Sequence, residues 1–328
     1  MRIAVLTSGG DAPGMNAAIR AIVRCGTERG AEMVGIQRGF NGLIHGEFEP
    51  LDNRAVGGII ERGGTMLRSG RSAAFLSSDG QGKALDEACR DGLDGLIVIG
   101  GNGSLRGARW LEDNGLPTVG IPASIDNDIP RTEMSIGVDT AVNTVVEALD
   151  RLRDTAVAHD RAFVVEVMGR RSGYIALTGG LAGGAEFILP PETSISLSDV
   201  VKGVCDGVRR GKRHSIIVVA EGFAPSDCPD PKPSPGRLVA DALRSEGTVD
   251  TRLTILGHLQ RGGSPSASDR ILACRFADRA VARLAGGEHG IYMGLVGREI
   301  GPIPFDAIEE ECENVDLRLL RLAEVLAH

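Results

Sequence analysis

Aromatic side chains are scarce in this chain, since tryptophan, tyrosine and phenylalanine together make up 3% of its 328 residues. The hydrophobic residues nevertheless reach 42%, so the core has to be built from valine, isoleucine, leucine and alanine. Glycine, by contrast, is abundant at 46 residues. A composition rich in glycine and poor in aromatics fits α/β enzymes, whose strand-to-helix turns need glycine.

Long apolar runs, an excess of positive charge and paired cysteines are also missing. No apolar run approaches the roughly 18 residues of a membrane-spanning helix, and a strand that starts at Arg2 leaves no room for a signal peptide. The formal net charge of −8 argues against non-specific binding of nucleic acid. The six cysteines form no CxxC pair, which favours free thiols in a reducing compartment over zinc sites or disulfides. We therefore expect a cytoplasmic protein with neither nucleic-acid nor membrane partners.

Strand and helix patterns alternate along the chain. The predicted strands lie at 2–7, 33–36, 93–99, 117–121, 163–167, 187–189, 215–220 and 252–256, and the predicted helices at 15–28, 84–91, 105–114, 140–158, 174–183, 199–210, 238–245 and 271–285. Apolar strands that alternate with helices form parallel sheets covered on both faces. We therefore predict an α/β fold, and the length suggests two domains. Five prolines between positions 223 and 236 predict an exposed, irregular loop.

Two loops that follow neighbouring predicted strands carry the residue types of phosphate chemistry. Residues 100–104 are rich in glycine, which lets backbone N–H groups approach phosphate oxygens. Residues 124–128 include Asp126 and Asp128, two carboxylates spaced to hold a hydroxyl group or a metal. Ligands of parallel sheets bind beyond the carboxyl ends of the strands, where both loops lie. The pair indicates phosphoryl transfer, although aspartates that only cap a loop are the alternative.

Three more segments at predicted strand ends have a similar character. Residues 7–11 form a glycine turn, which is either a phosphate loop or a tight strand-to-helix connection. Arg170 follows the strand 163–167, as a ligand or as a solvated charge. His258 and Arg261 share one glycine-rich turn, a combination that suits a phosphate monoester. A dinucleotide fingerprint is disfavoured, because Gly107 comes one position late and no acidic residue follows in the expected place.

Taken together, these segments resemble the bacterial type of ATP-dependent 6-phosphofructokinase, the phosphofructokinase A family. The resemblance runs through residues 6–20, 165–170 and 257–265 and covers essentially the whole chain. It implies transfer of the γ-phosphoryl group of MgATP to the 1-hydroxyl of fructose 6-phosphate, a step of glycolysis. It also implies two Rossmann-like, three-layer α/β/α domains with mainly parallel sheets and the active site between them. Residues 1–136 plus 264–312 would bind nucleotide, and residues 137–263 plus 313–328 would bind sugar phosphate.

The resemblance also assigns roles to single residues. Asp126 would be the general base, Arg71 and Arg170 would offset charge on the transferred phosphoryl group, and Ser124 and Asp128 would support the site. The ATP-binding residues would be Gly10, Arg71, Ser72, Gly101, Asn102, Gly103 and Ser104. The residues for fructose 6-phosphate would be Ser124, Ile125, Asp126, Arg161, Met168, Gly169, Arg170, Glu221, Arg252, His258 and Arg261.

Oligomeric state, donor and regulation follow from the same resemblance. In the family, Arg161 and Arg252 reach in from a neighbouring subunit, which implies a homo-oligomer, usually a tetramer. Small residues at Gly103 and Ala123 favour ATP over pyrophosphate as the donor. An allosteric effector site is implied at Arg20, Arg24, Arg153, Glu186, Lys212 and Arg213. Asn53 stands where the family's effector site usually has arginine, so control by nucleoside diphosphate or phosphoenolpyruvate stays open.

Asn102 is the main departure from the family pattern, which has aspartate near Mg²⁺ at this position. Asparagine keeps an oxygen ligand but removes a negative charge, which weakens metal binding. Three interpretations are open: an active enzyme whose Mg²⁺ is held by phosphates, water and Asp128; an engineered, impaired variant; or a natural homologue with another donor or a sensor's task. Ser124 replaces the usual threonine and keeps the hydroxyl.

Overall fold

The computed structural model describes residues 1–228, 234–312 and 314–327, which form eleven β-strands and ten α-helices. In chain order the strands are β1 (Arg2–Ser8), β2 (Glu32–Ile36), β3 (Phe48–Pro50), β4 (Gly95–Gly100), β5 (Thr118–Pro122), β6 (Arg161–Val167), β7 (Phe187–Leu189), β8 (Ser215–Ala220), β9 (Asp250–Ile255), β10 (Ile291–Val296) and β11 (Glu299–Pro304). The helices are α1 (Met15–Glu28), α2 (Phe40–His45), α3 (Ser78–Arg90), α4 (Asn102–Asp113), α5 (Val138–His159), α6 (Tyr174–Ala182), α7 (Leu197–Arg209), α8 (Pro235–Glu246), α9 (Ala267–Ala285) and α10 (Arg318–Leu326).

The chain divides into two compact units. Unit 1 comprises Met1–Thr140 and Arg261–Cys312, and unit 2 comprises Ala141–Gln260 and Glu313–His328. Unit 1 contains a seven-stranded sheet in the order β11-β10-β5-β4-β1-β2-β3, in which only the outer pairs β2–β3 and β10–β11 are antiparallel among the described strands. Unit 2 contains a parallel four-stranded sheet in the order β7-β8-β6-β9.

The strands of unit 1 are buried on both faces, and their alternate residues separate the two helical layers. Leu96 and Val98 of β4 pack in a cluster with side chains of α2, α3 and α4. The intervening residue Ile97 is also fully buried, and successive strand residues point to opposite faces. On that second face Gly95 lies against Leu284 of α9, which itself packs closely on α1. The unit is therefore a three-layer α/β/α structure.

Unit 2 also has a sheet packed against helices, but with fewer strands. Val164, Ile217 and Val219 of its sheet pack in a cluster with side chains of α7 and α8. Helix α6 contacts β7 and β8, and Val145 of α5 lies against Gly179 of α6. The prediction of an α/β fold with mainly parallel sheets is confirmed in both units.

Three local predictions need correction. Helix α4 begins at Asn102 rather than at 105, so Asn102, Gly103 and Ser104 belong to its first turn and not to a loop. Helix α8 begins at Pro235, because proline suits the first helical position; the predicted irregular loop therefore ends earlier, and its residues 229–233 lie outside the described residues. The sequence patterns did not identify α2, β3, β10, β11 and α10. Among the described residues, no helix combines the length and apolar character that crossing a membrane requires.

Candidate active site

In unit 1, the carboxyl ends of β1, β4 and β5 lie side by side, since Ser8 pairs with Gly100 and Gly100 pairs with Pro122. The turn after β1 is tied to the segment around Gly70: the backbone N–H of Gly9 donates to the carbonyl of Gly70 at 3.2 Å. The hydroxyl of Ser69 donates to the carbonyl of Gly9 at 2.9 Å. The predicted phosphate turn, the residues before Arg71 and the loops after β4 and β5 therefore meet at one sheet edge.

The first turn of α4 occupies the centre of this edge. Gly100 has to be glycine, since a Cβ there would lie 2.6 Å from both the Ser104 side chain and the Ser8 carbonyl oxygen. Gly101 is the N-cap and offers no side chain to the free backbone N–H groups of the first turn. A Cβ at Gly103 would meet no described atom within 4 Å, which leaves open space above the turn. A helix N-terminus with bare backbone donors and open space suits a phosphate group.

The loop after β5 brings a carboxylate to the same place. Asp126 is 1% exposed and Ile125 is fully buried. The loop is braced from within, because the Ser124 hydroxyl donates to Asp128 Oδ1 at 3.2 Å and accepts from the Asp126 N–H at 3.3 Å. Asn127 has a left-handed backbone, with φ of 49°, and its side-chain amide donates to the carbonyl of Glu133 at 3.0 Å. The sequence predicted the carboxylates at this edge, but not these braces.

Asn102 joins the first turn of α4 to this loop. Its amide nitrogen Nδ2 donates to the backbone carbonyl of Asp128 at 2.9 Å. Its oxygen Oδ1 is buried and has no hydrogen-bond partner among the described residues. A buried amide oxygen without a donor, on a side chain bonded to the loop that also carries the Asp128 carboxylate, matches the oxygen ligands that Mg²⁺ takes alongside phosphates and water. The residues present therefore fit a magnesium ion.

Arg261 covers the turn after β1. Its Nη1 donates to the carbonyl of Asp11 at 2.9 Å, and a Cβ on Gly10 would lie 2.6 Å from that nitrogen. Gly10 is therefore required for the close approach of the guanidinium group. Arg71 is exposed, whereas Ser72 uses its hydroxyl within the fold, as it donates to Asn41 Oδ1 at 2.6 Å.

An aromatic cluster that the sequence patterns missed supports the Ser72 segment. The rings of Phe40 and Phe75 stack with centroids 4.2 Å apart, and Trp110 meets Phe75 edge-on at 6.0 Å. Gly107 of α4 leaves room for this stack, since a Cβ there would lie 2.7 Å from Phe40. Aromatic residues are rare in this chain, and that rarity is the sequence signal that could have drawn attention to these three.

In unit 2, the predicted sugar-binding residues gather at the carboxyl ends of β6 and β8. One oxygen of Glu221 accepts the backbone N–H groups of Gly169, at 3.3 Å, and of Arg170, at 2.7 Å. Arg170 has a left-handed backbone with φ of 53°, which these bonds hold in place. The fully buried Gln260, not singled out in the sequence, accepts from the N–H of Met168 at 3.3 Å.

Arg161 and Arg252 lie elsewhere in unit 2. Arg161 is the first residue of β6, opposite to the end that carries Met168, and six residue steps of about 3.3 Å put the two ends of that strand roughly 20 Å apart. Both arginines pair with Asp250, each at 2.7 Å. His258 is exposed in the turn that follows β9. Within one chain, therefore, these arginines do not join Met168, Gly169 and Arg170.

Four of the predicted effector residues lie at the amino ends of the strands in unit 2. Arg153 donates to the carbonyl of Gly184 at 2.8 Å, and Arg213 pairs with Asp160 at 2.5 Å. Lys212 donates to a carbonyl near the end of α10, and Glu186 accepts from the N–H of Ile216 at 2.7 Å. The last two line a cavity of about 430 Å³ between β7, α7 and α10. Arg20 and Arg24 belong to α1 in unit 1.

Comparison with known proteins places this arrangement in a family. The family model described as Phosphofructokinase matches residues 2–284. The ATP-dependent 6-phosphofructokinase of Natranaerobius thermophilus is 48% identical over 326 residues, and the ATP-dependent 6-phosphofructokinase 1 of Thermus thermophilus is 50% identical over 327; each alignment covers 99% of both chains. The solved phosphofructokinase of Saccharomyces cerevisiae superimposes with a TM-score of 0.86 at 34% identity, over 94% of this chain and 45% of the yeast chain. This chain thus spans less than half of the yeast chain, but nearly all of its bacterial relatives. It belongs to the phosphofructokinase family.

Proposed function

We propose that this protein transfers the γ-phosphoryl group of ATP to the 1-hydroxyl of fructose 6-phosphate, forming fructose 1,6-bisphosphate and ADP. The observation that carries the proposal is the buried carboxylate of Asp126, held at the sheet edge where the open first turn of α4 and the turn after β1 meet. Relatives of the same length named ATP-dependent 6-phosphofructokinase support the choice of both substrates.

The phosphates of ATP would lie on backbone donors. The first turn of α4 supplies the backbone N–H groups of Asn102 and Gly103, because that of Ser104 already donates to the Gly101 carbonyl at 2.9 Å. The turn at Gly10 lies beside it, under the guanidinium group of Arg261. Gly103 leaves room for the nucleotide's α-phosphate, which favours ATP over pyrophosphate. Arg71 and Ser72 would complete this part of the site.

Chemistry would begin when Asp126 takes the proton of the sugar 1-hydroxyl, which makes that oxygen a better nucleophile toward the γ-phosphorus. Arg170 and Arg71 would offset the negative charge that spreads over the transferred group. An arginine in this role contributes on the order of 10³-fold in related phosphoryl transfers. Ser124 and Asp128 would keep Asp126 in place through the bonds within their loop.

The sugar phosphate would be held by the following residues. Met168, Gly169 and Glu221 would contact the sugar, and Ser124 and Ile125 would lie beside its reacting end. Arg261 and His258 would bind the 6-phosphate of the same chain's substrate. Arg161 and Arg252 would bind the 6-phosphate in a neighbouring subunit. In their own chain Arg161 lies about 20 Å from the carboxyl end of β6, and Arg252 pairs with Phe163, about 13 Å before that end. We therefore propose a homotetramer with shared sites.

Mg²⁺ would be held by Asp128 and by the unpartnered Asn102 Oδ1, together with phosphate and water oxygens. When bound, the ion neutralises charge on the phosphates of ATP. We further propose that the enzyme works in the cytoplasm and that Arg20, Arg24, Arg153, Glu186, Lys212 and Arg213 form an allosteric site.

The direct test is a coupled assay with fructose 6-phosphate and Mg²⁺, run with ATP, GTP and pyrophosphate as donors. We expect turnover with ATP and at least tenfold less with pyrophosphate. No turnover with any of the three donors would contradict the proposal. Turnover that appears only when Asn102 is replaced by aspartate would instead identify an impaired enzyme or a sensor.

Asn102→Asp is expected to lower the Mg²⁺ concentration for half-maximal activity by roughly fivefold. The added carboxylate charge near the ion is worth about 1 kcal/mol even with the screening of bulk water, which makes fivefold the low end of the expected shift. The measurement is a Mg²⁺ titration of activity at constant ATP. Asn114→Asp is the matched control, because it adds the same charge at the exposed far end of α4. An equal shift in both variants, or none in Asn102→Asp, would contradict a metal-facing position for Asn102.

A further inference from the structure

The N-termini of α5 and α9 cap one another. Asp269, in the first turn of α9, accepts the backbone N–H groups of Gly137 and Thr140, both at 2.8 Å, and the Thr140 hydroxyl at 2.5 Å. In return, the N–H of Ser266 donates to the Thr140 hydroxyl at 3.0 Å, and the Ser266 hydroxyl donates to Asp139 at 2.5 Å. Each helix therefore accepts hydrogen bonds from the start of the other, while Ser266 also caps α9 itself by accepting the N–H of Asp269 at 3.2 Å.

Asp269 is sealed inside unit 1. Its side chain is 1% exposed, and both of its oxygens accept hydrogen bonds. Burial raises the pKa of its carboxyl group, while the bonds from Thr140 and Gly137 act in the opposite direction. Gly14 is required beside it, because a Cβ there would lie 2.6 Å from Ile136 and 3.6 Å from Asp269. A buried carboxylate with this many donors is a rigid anchor.

The bond from Gly137 to Asp269 connects this carboxylate to the loop that carries Asp126. The segment between that loop and α5 folds back on it: the Ser135 hydroxyl donates to the Ser124 carbonyl at 2.7 Å, and the Ser135 N–H donates to Asn127 Oδ1 at 3.1 Å. The N–H of Ser124 donates to the Ile136 carbonyl at 3.2 Å. Asp269 fixes the position of Gly137. Because Ser135 and Ile136 precede Gly137 directly and bond to the loop, Asp269 also fixes the position of the loop.

The start of α9 connects Asp269 to the segment that carries Arg261. Only four residues separate Arg261 from Ser266, the N-cap of α9. The Ser264 hydroxyl in this segment donates to the Glu61 carbonyl at 2.7 Å, and Arg270 Nε donates to the Pro265 carbonyl at 2.8 Å. A shift at the start of α9 would thus displace the guanidinium group that lies over the Gly10 turn.

We propose that Asp269 is a positioning residue for phosphoryl transfer, whose carboxylate keeps the loop bearing Asp126 in register with the segment bearing Arg261. It touches neither substrate and acts through the two backbone segments. The proposal rests on the function proposed above. Asparagine in its place would turn an N–H₂ group toward backbone donors, and one of the three bonds at least would be lost.

Asp269→Asn is expected to lower kcat by about 10- to 100-fold, because small displacements of a catalytic group reduce the rate steeply, while the KM for ATP stays within about threefold. Asp278→Asn is the matched control, since Asp278 lies on the same helix with a half-exposed side chain. A kcat within twofold of the parent in a less stable Asp269→Asn protein would overturn the proposal and leave Asp269 a purely structural residue.

Hydrogen exchange separates this proposal from the proposed function. In the full-length protein we expect faster amide exchange across residues 122–137 in Asp269→Asn than in Asp278→Asn. This comparison does not require turnover. A parent protein without activity would therefore contradict the proposed phosphoryl transfer, but it would not test whether Asp269 holds the loop bearing Asp126. Unchanged exchange across 122–137 would overturn the coupling in an active or an inactive protein.

A second pair of variants covers the case in which Asp269→Asn does not fold. Thr140→Ala removes the hydroxyl that bonds both Asp269 and Ser266, and Thr140→Ser restores it. We expect kcat to fall in Thr140→Ala by about 3- to 10-fold, the cost of one hydrogen bond of roughly 1 kcal/mol, and to return in Thr140→Ser. Equal kcat values in the two variants would overturn the proposal.

Discussion

Replacing Asp126 by serine is expected to lower kcat by about 10³-fold, within the range that general bases contribute. The 1-hydroxyl of the sugar is a weak nucleophile until its proton is removed, and Asp126 is the carboxylate buried where the open first turn of α4 meets the loop after β5. Binding of fructose 6-phosphate should change by less than about threefold, because the loop is braced through Ser124 and Asn127. The measurements are kcat in the coupled assay and the Kd for fructose 6-phosphate by calorimetry.

Asp113→Ser is the control for this experiment. Asp113 is the last residue of α4, and its side chain is 63% exposed and loosely paired with Arg109 at 3.7 Å. Its replacement should leave kcat within about twofold, since exposed pairs of this kind contribute little. Turnover of the Asp126→Ser protein close to that of the parent would exclude Asp126 as the base.

Arg252→Ala is expected to raise the KM for fructose 6-phosphate by roughly 10- to 100-fold. A charge-assisted bond to a phosphate is worth about 1.5–3 kcal/mol. Arg252 is half-exposed, and among the described residues its ion pair is with Asp250, which it would exchange for the phosphate. The same change is expected for Arg161→Ala. Arg209→Ala is the matched control, because Arg209 is an exposed arginine of the same unit that pairs with Asp206.

The sharper form of this experiment asks which subunit supplies the arginine. Asp126→Ser and Arg252→Ala chains, each nearly inactive alone at low fructose 6-phosphate, are unfolded together, mixed in equal amounts and refolded. If Arg252 serves a neighbouring site, random pairing leaves about a quarter of the sites with both residues intact, and activity should recover to about that fraction. No recovery in oligomers shown to contain both chains would contradict a shared site.

The positions of Arg161 on β6 and Arg252 on β9 are what make this prediction specific. Sequence alone puts Arg161 and Met168 seven positions apart and gives no reason to separate their tasks. In the extended strand they lie at opposite ends, about 20 Å apart, which is farther than one arginine side chain can bridge. The assignment of both arginines to a neighbouring subunit came from the family resemblance, and β6 supplies an independent physical reason for Arg161. Arg252 pairs with Phe163 of β6 and therefore lies about 13 Å before the carboxyl end of that strand.

The start of α4 shows a different relation between sequence and structure. The pattern predicted a glycine loop at 100–104 followed by a helix from 105, because Gly101 and Gly103 have low helix propensity. The structure begins the helix at Asn102, since the carbonyl of Gly101 accepts from the N–H of Leu105 at 3.0 Å. The segment predicted as a phosphate loop is therefore a helix N-terminus, which would add the helix dipole to the backbone donors of the proposed phosphate site.

Periodicity and composition were enough to predict the parallel α/β fold, because apolar strands alternating with helices can bury both faces of a sheet in only a few ways. They were also enough to predict the chemistry at the carboxyl ends of β1, β4 and β5 in unit 1 and of β6 and β8 in unit 2, since the parallel strands of a sheet present those ends on one edge. These conclusions depend only on local patterns of neighbouring residues, which can be read directly from the sequence.

Only the tertiary structure decided how the loops support one another. The bond from Asn102 to Asp128, the shared Glu221 oxygen beneath Gly169 and Arg170, and the mutual caps around Asp269 join residues that lie 26 to 132 positions apart. No spacing rule connects such positions, because the partners are chosen by burial and by the need to satisfy polar groups once the chain has folded. The sequence therefore determined which chemistry is present and at which edge, and the folded chain determined which residues hold that chemistry in place.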